Sequence, residues 1–279
     1  MVGALGTRGS PRRRSVAALA LGVFVKRAAP GEVKTRLAGA LGAVAASDLY
    51  RQLVGDTIEV AVGLRRARLV AFFAPADARD ACAELVALPP TPGRPSGRPR
   101  VSGSAPAEAI LVPQSDGDLG SRMAAAFERL FADGAGRAIL IGSDCPLVDR
   151  RLLETAGRLL GRHDLVLGPT ADGGYWLIGL RAPQPTLFQG VRWSTPTVLE
   201  TTLAHAQELG LSIARVAELS DLDTPVDLAG LEAALLAAWA AARDGKRDDF
   251  PLRTFRWLCW RPDRRSRVHG AAPAPERSP

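Results

Sequence analysis

The sequence predicts an α/β fold, a doubly wound and mainly parallel sheet flanked by helices in a single domain with disordered tails. Three observations predict it. Short apolar runs alternate with longer helical patterns along the whole chain. The first of these runs, Ala17 to Val25, is continuously apolar, as a strand covered on both faces must be. A chain of 279 residues is also long enough to bury one large core.

Taken in order, the strand at 17–25 leads into the loop KRAAPGEVKT, and the spacing predicts mostly helix from Leu37 to Val62. LVAFF (69–73) reads as a second strand and Pro75 to Leu88 as a helix with proline near its start. Residues 89–106, rich in Pro, Gly and Arg, cannot bury enough apolar surface to order themselves and read as a disordered insertion. The alternation resumes with AILVP (109–113), a helix over Leu119 to Ala132, the strand AILIG (138–142) and a helix from Asp149 to Gly161. DLVLG, YWLIGL, a helix that Pro196 starts under a Ser194 or Thr195 cap, the strand LSIARV and a helix over Pro225 to Ala242 complete the domain. The division is therefore a basic disordered tail over 1–15, a domain over 16–244 and a basic tail over 245–279, whose aromatic cluster RTFRWLCW is expected to pack on the body.

Charge excludes one class of function. The formal charge is +7, yet residues 1–14, the 89–106 loop and residues 245–279 together carry +12, which leaves the body at −5. A specific nucleic-acid footprint on the body is not expected. The arginines 12–14 followed by SVAALALGVFV imitate a signal peptide, but the apolar run falls well short of the ~20 residues of a membrane span, and it reads as the first strand. Three scattered cysteines, Cys82, Cys145 and Cys259, form no CxxC pair, which argues against a disulfide framework or zinc ribbon and suits a reducing cytoplasm.

The residues with chemical promise lie in loops after strands, where such sheets gather ligands. The chain holds only three lysines, Lys26, Lys34 and Lys246, among 36 basic residues, and two of them sit in VFVKRAAPGEVKTRL. Gly31, Lys34 and Arg36, at the approach to a helix, read as a phosphate-binding group or as a solvated basic loop. It is not a Walker loop, because GxxxxGK[ST] is absent. Asp144, just past the strand AILIG, can hold Mg²⁺ or cap a turn. Asp172, Gly173 and Gly174 precede a strong strand: they suit an acceptor hydroxyl or a plain hairpin turn, and Tyr175 reads as core. In SDLDTPVDL, Asp223 is a metal ligand or, like Thr224, a helix cap, and Asp221 two residues earlier can face the same cation. Gln114, Asp118 and Arg122, in VPQSDGDLGSRM, can read a base, ribose or phosphate or simply form a polar capped loop. Trp193 is core or a stacking wall for a sugar. The three histidines are too scattered for a metal site or a triad.

In order, KRAAPGEVKTRLA, QSDGDLGSRM, IGSDCPLV, GPTADGGYWLIGL, FxGVRWST and DLDTPVDL resemble the bacterial arsenosugar-biosynthesis-associated glycosyltransferases, also called radical-SAM/selenodomain-associated transferases. The resemblance spans about Leu19 to Leu235. It implies a GT-A-like, Rossmann-type nucleotide-diphospho-sugar transferase domain, whose wider relatives include cytidylyl- and guanylyltransferases. It further implies a nucleotide site built from the first loop, a metal aspartate at Asp144 and an acceptor region from Asp172 to Tyr175. One departure is visible: many GT-A glycosyltransferases carry a DxD pair, and Gly142 stands two before Asp144.

Two reactions follow as expectations. In the first, Mg²⁺ or Mn²⁺ on Asp144 and Asp223 bridges the diphosphate of a nucleotide-sugar, Lys34 and Arg36 neutralise the leaving nucleotide, and Asp172 positions a small-molecule acceptor. In the second, the same pocket moves NMP from an NTP onto a phosphate-bearing acceptor. A non-catalytic scaffold working through its basic tails is the reading from another class.

Overall fold

The computed structural model describes residues 19–64, 67–87, 109–243 and 250–260. The expected disordered tail over 1–15 and insertion over 89–106 lie outside the described residues.

A seven-stranded sheet carries the domain. Its strands are β1 (Leu19–Lys26), β2 (Ala67–Ala74), β3 (Ile110–Pro113), β4 (Ala138–Ile141), β5 (Leu165–Pro169), β6 (Tyr175–Leu180) and β7 (Ile213–Arg215). They lie in the order β3-β2-β1-β4-β6-β5-β7. All neighbours are parallel except β6, which runs against both β4 and β5. The reversal arises at a tight turn, where the Thr170 N–H donates to Gly174 O at 3.0 Å, so the chain doubles back instead of crossing over.

The helices are α1 (Thr35–Leu41), α2 (Ala43–Val62), α3 (Arg79–Val86), α4 (Leu119–Ala132), α5 (Arg150–Leu159), α6 (Val198–Glu208), α7 (Pro225–Arg243) and α8 (Leu252–Trp260). Apolar residues of α2, α3 and α5 cover one face of the sheet. Those of α4 and α6 cover the other. Both faces of β1 are thus buried, as its unbroken apolar run requires. Gly22 lets its neighbours close in, since a Cβ there would stand 2.4 Å from Leu140 Cδ2 and 2.9 Å from the Phe72 ring.

Several boundaries differ from the sequence expectation, each for a local reason. The helix expected over 37–62 is two helices, split at Gly42, whose φ of 82° no L-residue adopts cheaply. The third helix starts at Arg79 and not at Pro75, because Pro75–Ala78 form a turn first. The sixth starts at Val198: Ser194 sits at φ 62°, and Thr195 spends its hydroxyl on Arg192 O at 2.7 Å, so neither caps a helix.

The aromatic cluster near the C-terminal end belongs to the body. Phe250, Leu252, Phe255 and Leu258 join Leu49, Leu53 and Leu231 in a third core on the outer side of α2. Asp56 of α2 is buried there, and its carboxylate accepts the N–H groups of Arg253 at 3.1 Å and Thr254 at 2.8 Å. A side chain nearly two hundred residues away thus satisfies the first turn of α8. No helix among the described residues is long and apolar enough to cross a membrane.

Candidate active site

Strand order reverses at β1, whose chain neighbours β2 and β3 lie to one side while β4 lies to the other. At the carboxyl ends of β1 and β4 lies a cavity of about 530 Å³. Because β6 is antiparallel, with Leu177 opposite Ile141, its first residues Tyr175 and Trp176 open into the same space. A second cavity of about 310 Å³ adjoins it and shares Lys26, Glu32, Gln114 and Arg122 with the first.

Tyr50 of α2 ties the two strand ends together. Its hydroxyl oxygen accepts the Lys26 N–H at 2.8 Å and the Ser143 hydroxyl at 3.3 Å. Burial, with Asp144 adding to it, pushes its pKa up to about 12, so it stays neutral. Ser47 and Arg51, also on α2, donate to Ala28 O at 2.9 Å and 3.2 Å and hold the loop that carries Lys34.

The central feature is a triad of charges. The Lys34 ammonium meets Asp144 Oδ1 and Asp223 Oδ1, the latter at 2.7 Å. The lysine side chain is 3% exposed, whereas the two carboxylates are 43% and 46% exposed. Burial alone would depress the ammonium's pKa, but Asp144 and Asp223 outweigh it and hold Lys34 above the ordinary lysine range.

Three loops converge to make this contact, and backbone bonds explain why. The Leu222 N–H donates to Asp144 O at 3.0 Å, which stitches the loop after β7 to the loop after β4. Asp223 is also freed from capping. Asp227 Oδ2 accepts the N–H of Thr224 at 2.7 Å and of Asp223 at 3.1 Å, while the Thr224 hydroxyl reaches back to the Asp227 N–H at 3.3 Å. That reciprocal pair is a capping box with Thr224 as the cap, which leaves the Asp223 side chain to Lys34.

Beside the triad lie Asp221 and Cys145. The Cys145 thiol donates to Asp221 Oδ1 at 2.6 Å. Burial raises the Asp221 carboxyl to about 6, and burial with Asp221 alongside pushes the thiol well above its usual range. Cys145 is thus a buried thiol spent on Asp221.

The other expected residues divide. Gln114, Arg122 and Tyr175 line the cavity with Lys34, Asp144 and Asp223. The Gln114 amide donates to Phe72 O at 2.9 Å and Val25 O at 3.3 Å, which turns its carbonyl away from the strands. The Arg122 Nε donates to Gly117 O at 3.0 Å, and its remaining N–H groups meet no carboxylate among the described residues. Gly31 and Arg36 are exposed and outside the lining, whereas Thr35, the first residue of α1, is part of it, and Lys34 before it is left-handed at φ 49°. Asp118 caps α4 by accepting the Ser121 N–H at 2.8 Å. Trp193 packs on Gly120, where a Cβ would stand 2.7 Å from its ring, and beside Phe188. Asp172 Oδ1 accepts the Thr170 hydroxyl at 2.6 Å and the Gly174 N–H at 3.1 Å, a turn role outside the lining. Gly173, at φ 86°, is required by backbone contact: a Cβ would lie 2.0 Å from Pro196 O.

Sequence reasoning missed Tyr50 and Ser143 as wall residues. Tyr50 gives no signal, being one aromatic in a helix otherwise read for its apolar face. The sequence reading of Lys34 in the first loop is a phosphate contact, and the structure pairs its ammonium with Asp144 and Asp223.

This architecture has known counterparts. The chain is similar to a candidate nucleotide-diphospho-sugar transferase from Desulfovibrio desulfuricans G20, at 28% identity over 87% of this chain and 96% of that one, with a TM-score of 0.70. The fold is the GT-A-like fold of nucleotide-diphospho-sugar transferases. Looser likenesses include a CMP-2-keto-3-deoxy-manno-octonic acid synthetase complexed with CTP, at 10% identity, 79% and 99% coverage and a TM-score of 0.48. A 4-diphosphocytidyl-2C-methyl-D-erythritol synthase from Anaerococcus prevotii DSM 20548 stands at 8%, 78% and 99%, and 0.49. The family "Uncharacterized protein conserved in bacteria (DUF2064)" matches residues 57–195, just under half of the chain. No curated protein matches.

Proposed function

We propose that this transferase moves a glycosyl group from a nucleotide-sugar to a small-molecule acceptor in the cytoplasm, with Mg²⁺ or Mn²⁺ held by Asp144 and Asp223. The observation that carries the reading is the convergence of those two carboxylates, from loops far apart in sequence, on one point in the wall of the switch-point cavity. The likeness to the Desulfovibrio protein supports the donor class. The motif resemblance supports arsenosugar or related small-molecule biosynthesis as the setting.

The residues fit a cation of this type. Among the described residues no group of three or more His, Cys, Asp or Glu side chains could form a protein cage for a metal. Mg²⁺ does not need one, since it takes one or two carboxylates and completes its shell with water and substrate phosphate. The Lys34 ammonium touching both acids marks the spot as one that stabilises positive charge. When bound, the cation supplies charge neutralisation for the departing diphosphate.

The chain's own groups do the rest. Arg122 and Lys26 border both cavities and are the cations left to meet phosphate oxygens, the guanidinium in bidentate fashion. The Gln114 carbonyl offers a fixed acceptor to the nucleotide. Asp221 lines the cavity and Asp172 does not, so orientation of the acceptor hydroxyl passes from Asp172 to Asp221 on geometry.

One observation favours a second reading. Gly142 stands where a DxD pair would place its first carboxylate, so a nucleotidyl transfer from an NTP uses the same pocket without strain on the assignment. Incubation with Mg²⁺ and panels of nucleotide-sugars and NTPs, with mass spectrometry of the small products, separates the two. Nucleoside diphosphate release is expected; pyrophosphate release from an NTP would replace the first reading with the second.

A further inference from the structure

We propose that Lys34 is a positioning residue, a buried clamp that holds Asp144 and Asp223 in a ready-made seat for the divalent cation, and that it does not touch phosphate. The proposal rests on the cation reading above and assigns the lysine a different task within it.

Depth comes first. The ammonium meets Oδ1 of two carboxylates that are more than ten times as exposed as the lysine side chain. Lys34, Asp144 and Asp223 all line the cavity, and of the three the two carboxylates are the groups that solvent reaches. To reach a phosphate, Lys34 would have to break its contacts with both acids and move its ammonium out of a nearly fully buried position. Dependence comes second. Backbone bonds and the capping box hold the two loops, yet among the described residues neither acid's side chain has a partner other than Lys34.

Residue type comes third. An ammonium presents three donors in a tetrahedral spread on a compact centre, which suits two carboxylates arriving from different loops. A planar guanidinium suits one carboxylate held in parallel. That difference accounts for a lysine at this position in a chain with only three lysines among 36 basic residues. The left-handed backbone at φ 49° further shows that the fold tolerates strain to aim this one side chain inward.

The test measures Mn²⁺ binding to the full chain by the loss of the free Mn²⁺ electron paramagnetic signal, without nucleotide. Lys34→Ala is expected to weaken Mn²⁺ binding by about tenfold or more, as removal of a group that orients metal ligands does. Propylammonium should restore it, and tetramethylammonium at the same ionic strength should not. Mn²⁺ binding by Lys34→Ala as tight as in the wild type, with weakened binding of inorganic pyrophosphate, would overturn the clamp and return Lys34 to phosphate. Asp144→Asn and Asp223→Asn keep the two readings apart: if both bind Mn²⁺ like the wild type, the cation site itself is wrong and the clamp falls with it. If Lys34→Ala does not fold, acetylation of the wild type decides. A clamp leaves Lys34 unmodified while Lys26 reacts, with or without pyrophosphate; a Lys34 that reacts as fast as Lys26 and is protected by pyrophosphate refutes it.

Discussion

Arg122 enters the cavity wall with one N–H spent on Gly117 O and the rest of its guanidinium uncommitted. A cation in that state gains from an anionic ligand without first breaking an ion pair. Arg122→Ala is expected to raise KM for the donor about tenfold with a smaller change in kcat, the pattern of a contact made equally in ground and transition states. Steady-state kinetics at several donor concentrations check it. Asp172→Asn should leave kcat within about threefold, since the turn uses an oxygen that asparagine retains, whereas Asp221→Asn should lower kcat by about a hundredfold if Asp221 orients the acceptor. At this scale the sequence was legible in residue type but not in pairing. The excess of lysine near the first strand and the acids after β4 and before α7 stood out. That Lys34 would sit between Asp144 and Asp223 depends on loops brought together by a Leu222–Asp144 backbone bond, and no spacing along the chain encodes that. Asp118 and Asp172 went to turns and caps because short acids beside helix or hairpin starts find backbone N–H groups within reach.

The turn between β5 and β6 shows how an element can fix the site without touching a ligand. Gly173 lies against the backbone of Pro196, which no side chain can vacate. Gly173→Ala adds both a left-handed alanine and a clash with a carbonyl oxygen, and is expected to cost on the order of 2–4 kcal/mol in chemical denaturation, with the midpoint reporting it. Strands were the most legible elements, since buried parallel strands read as unbroken apolar runs. Helix ends were less so: Gly42 at φ 82° splits a continuous helical pattern, a conformation that glycine permits but does not announce. The direction of β6 was equally hidden, because a two-glycine turn serves a hairpin and a ligand loop alike.

Across the whole molecule the basic C-terminal stretch conceals a structural helix. Deleting from residue 250 onward would expose the third core and remove Phe250, Leu252, Phe255 and Leu258, each contributing about 1.5–3 kcal/mol when buried. The expected outcome is a chain near its unfolding limit at 25 °C, seen as a collapsed thermal midpoint, so a deletion meant to probe the tail must begin beyond Trp260. The same contact makes stability depend on pH. Burial pushes the Asp56 carboxyl from 3.8 up to about 6, against the pull of the Thr254 and Arg253 N–H groups. A carboxyl harder to ionise when folded contributes stability that is whole below its unfolded value and is lost as pH rises through about 6. Between about pH 4 and 7 the wild type should lose on the order of 1–3 kcal/mol relative to Asp56→Asn, measured by urea unfolding at each pH. Asp56→Ala, with no acceptor for the helix start, should be less stable than Asp56→Asn by about 1–2 kcal/mol.

The docking of α8 on α2 also orders events in time. Asp56 leaves the ribosome 197 residues before the Arg253 N–H that it must receive, so the outer face of α2 stays bare through most of synthesis. Until α8 arrives, the nascent chain carries the apolar face of Leu49 and Leu53 uncovered by Phe255 and Leu258, a surface prone to aggregation.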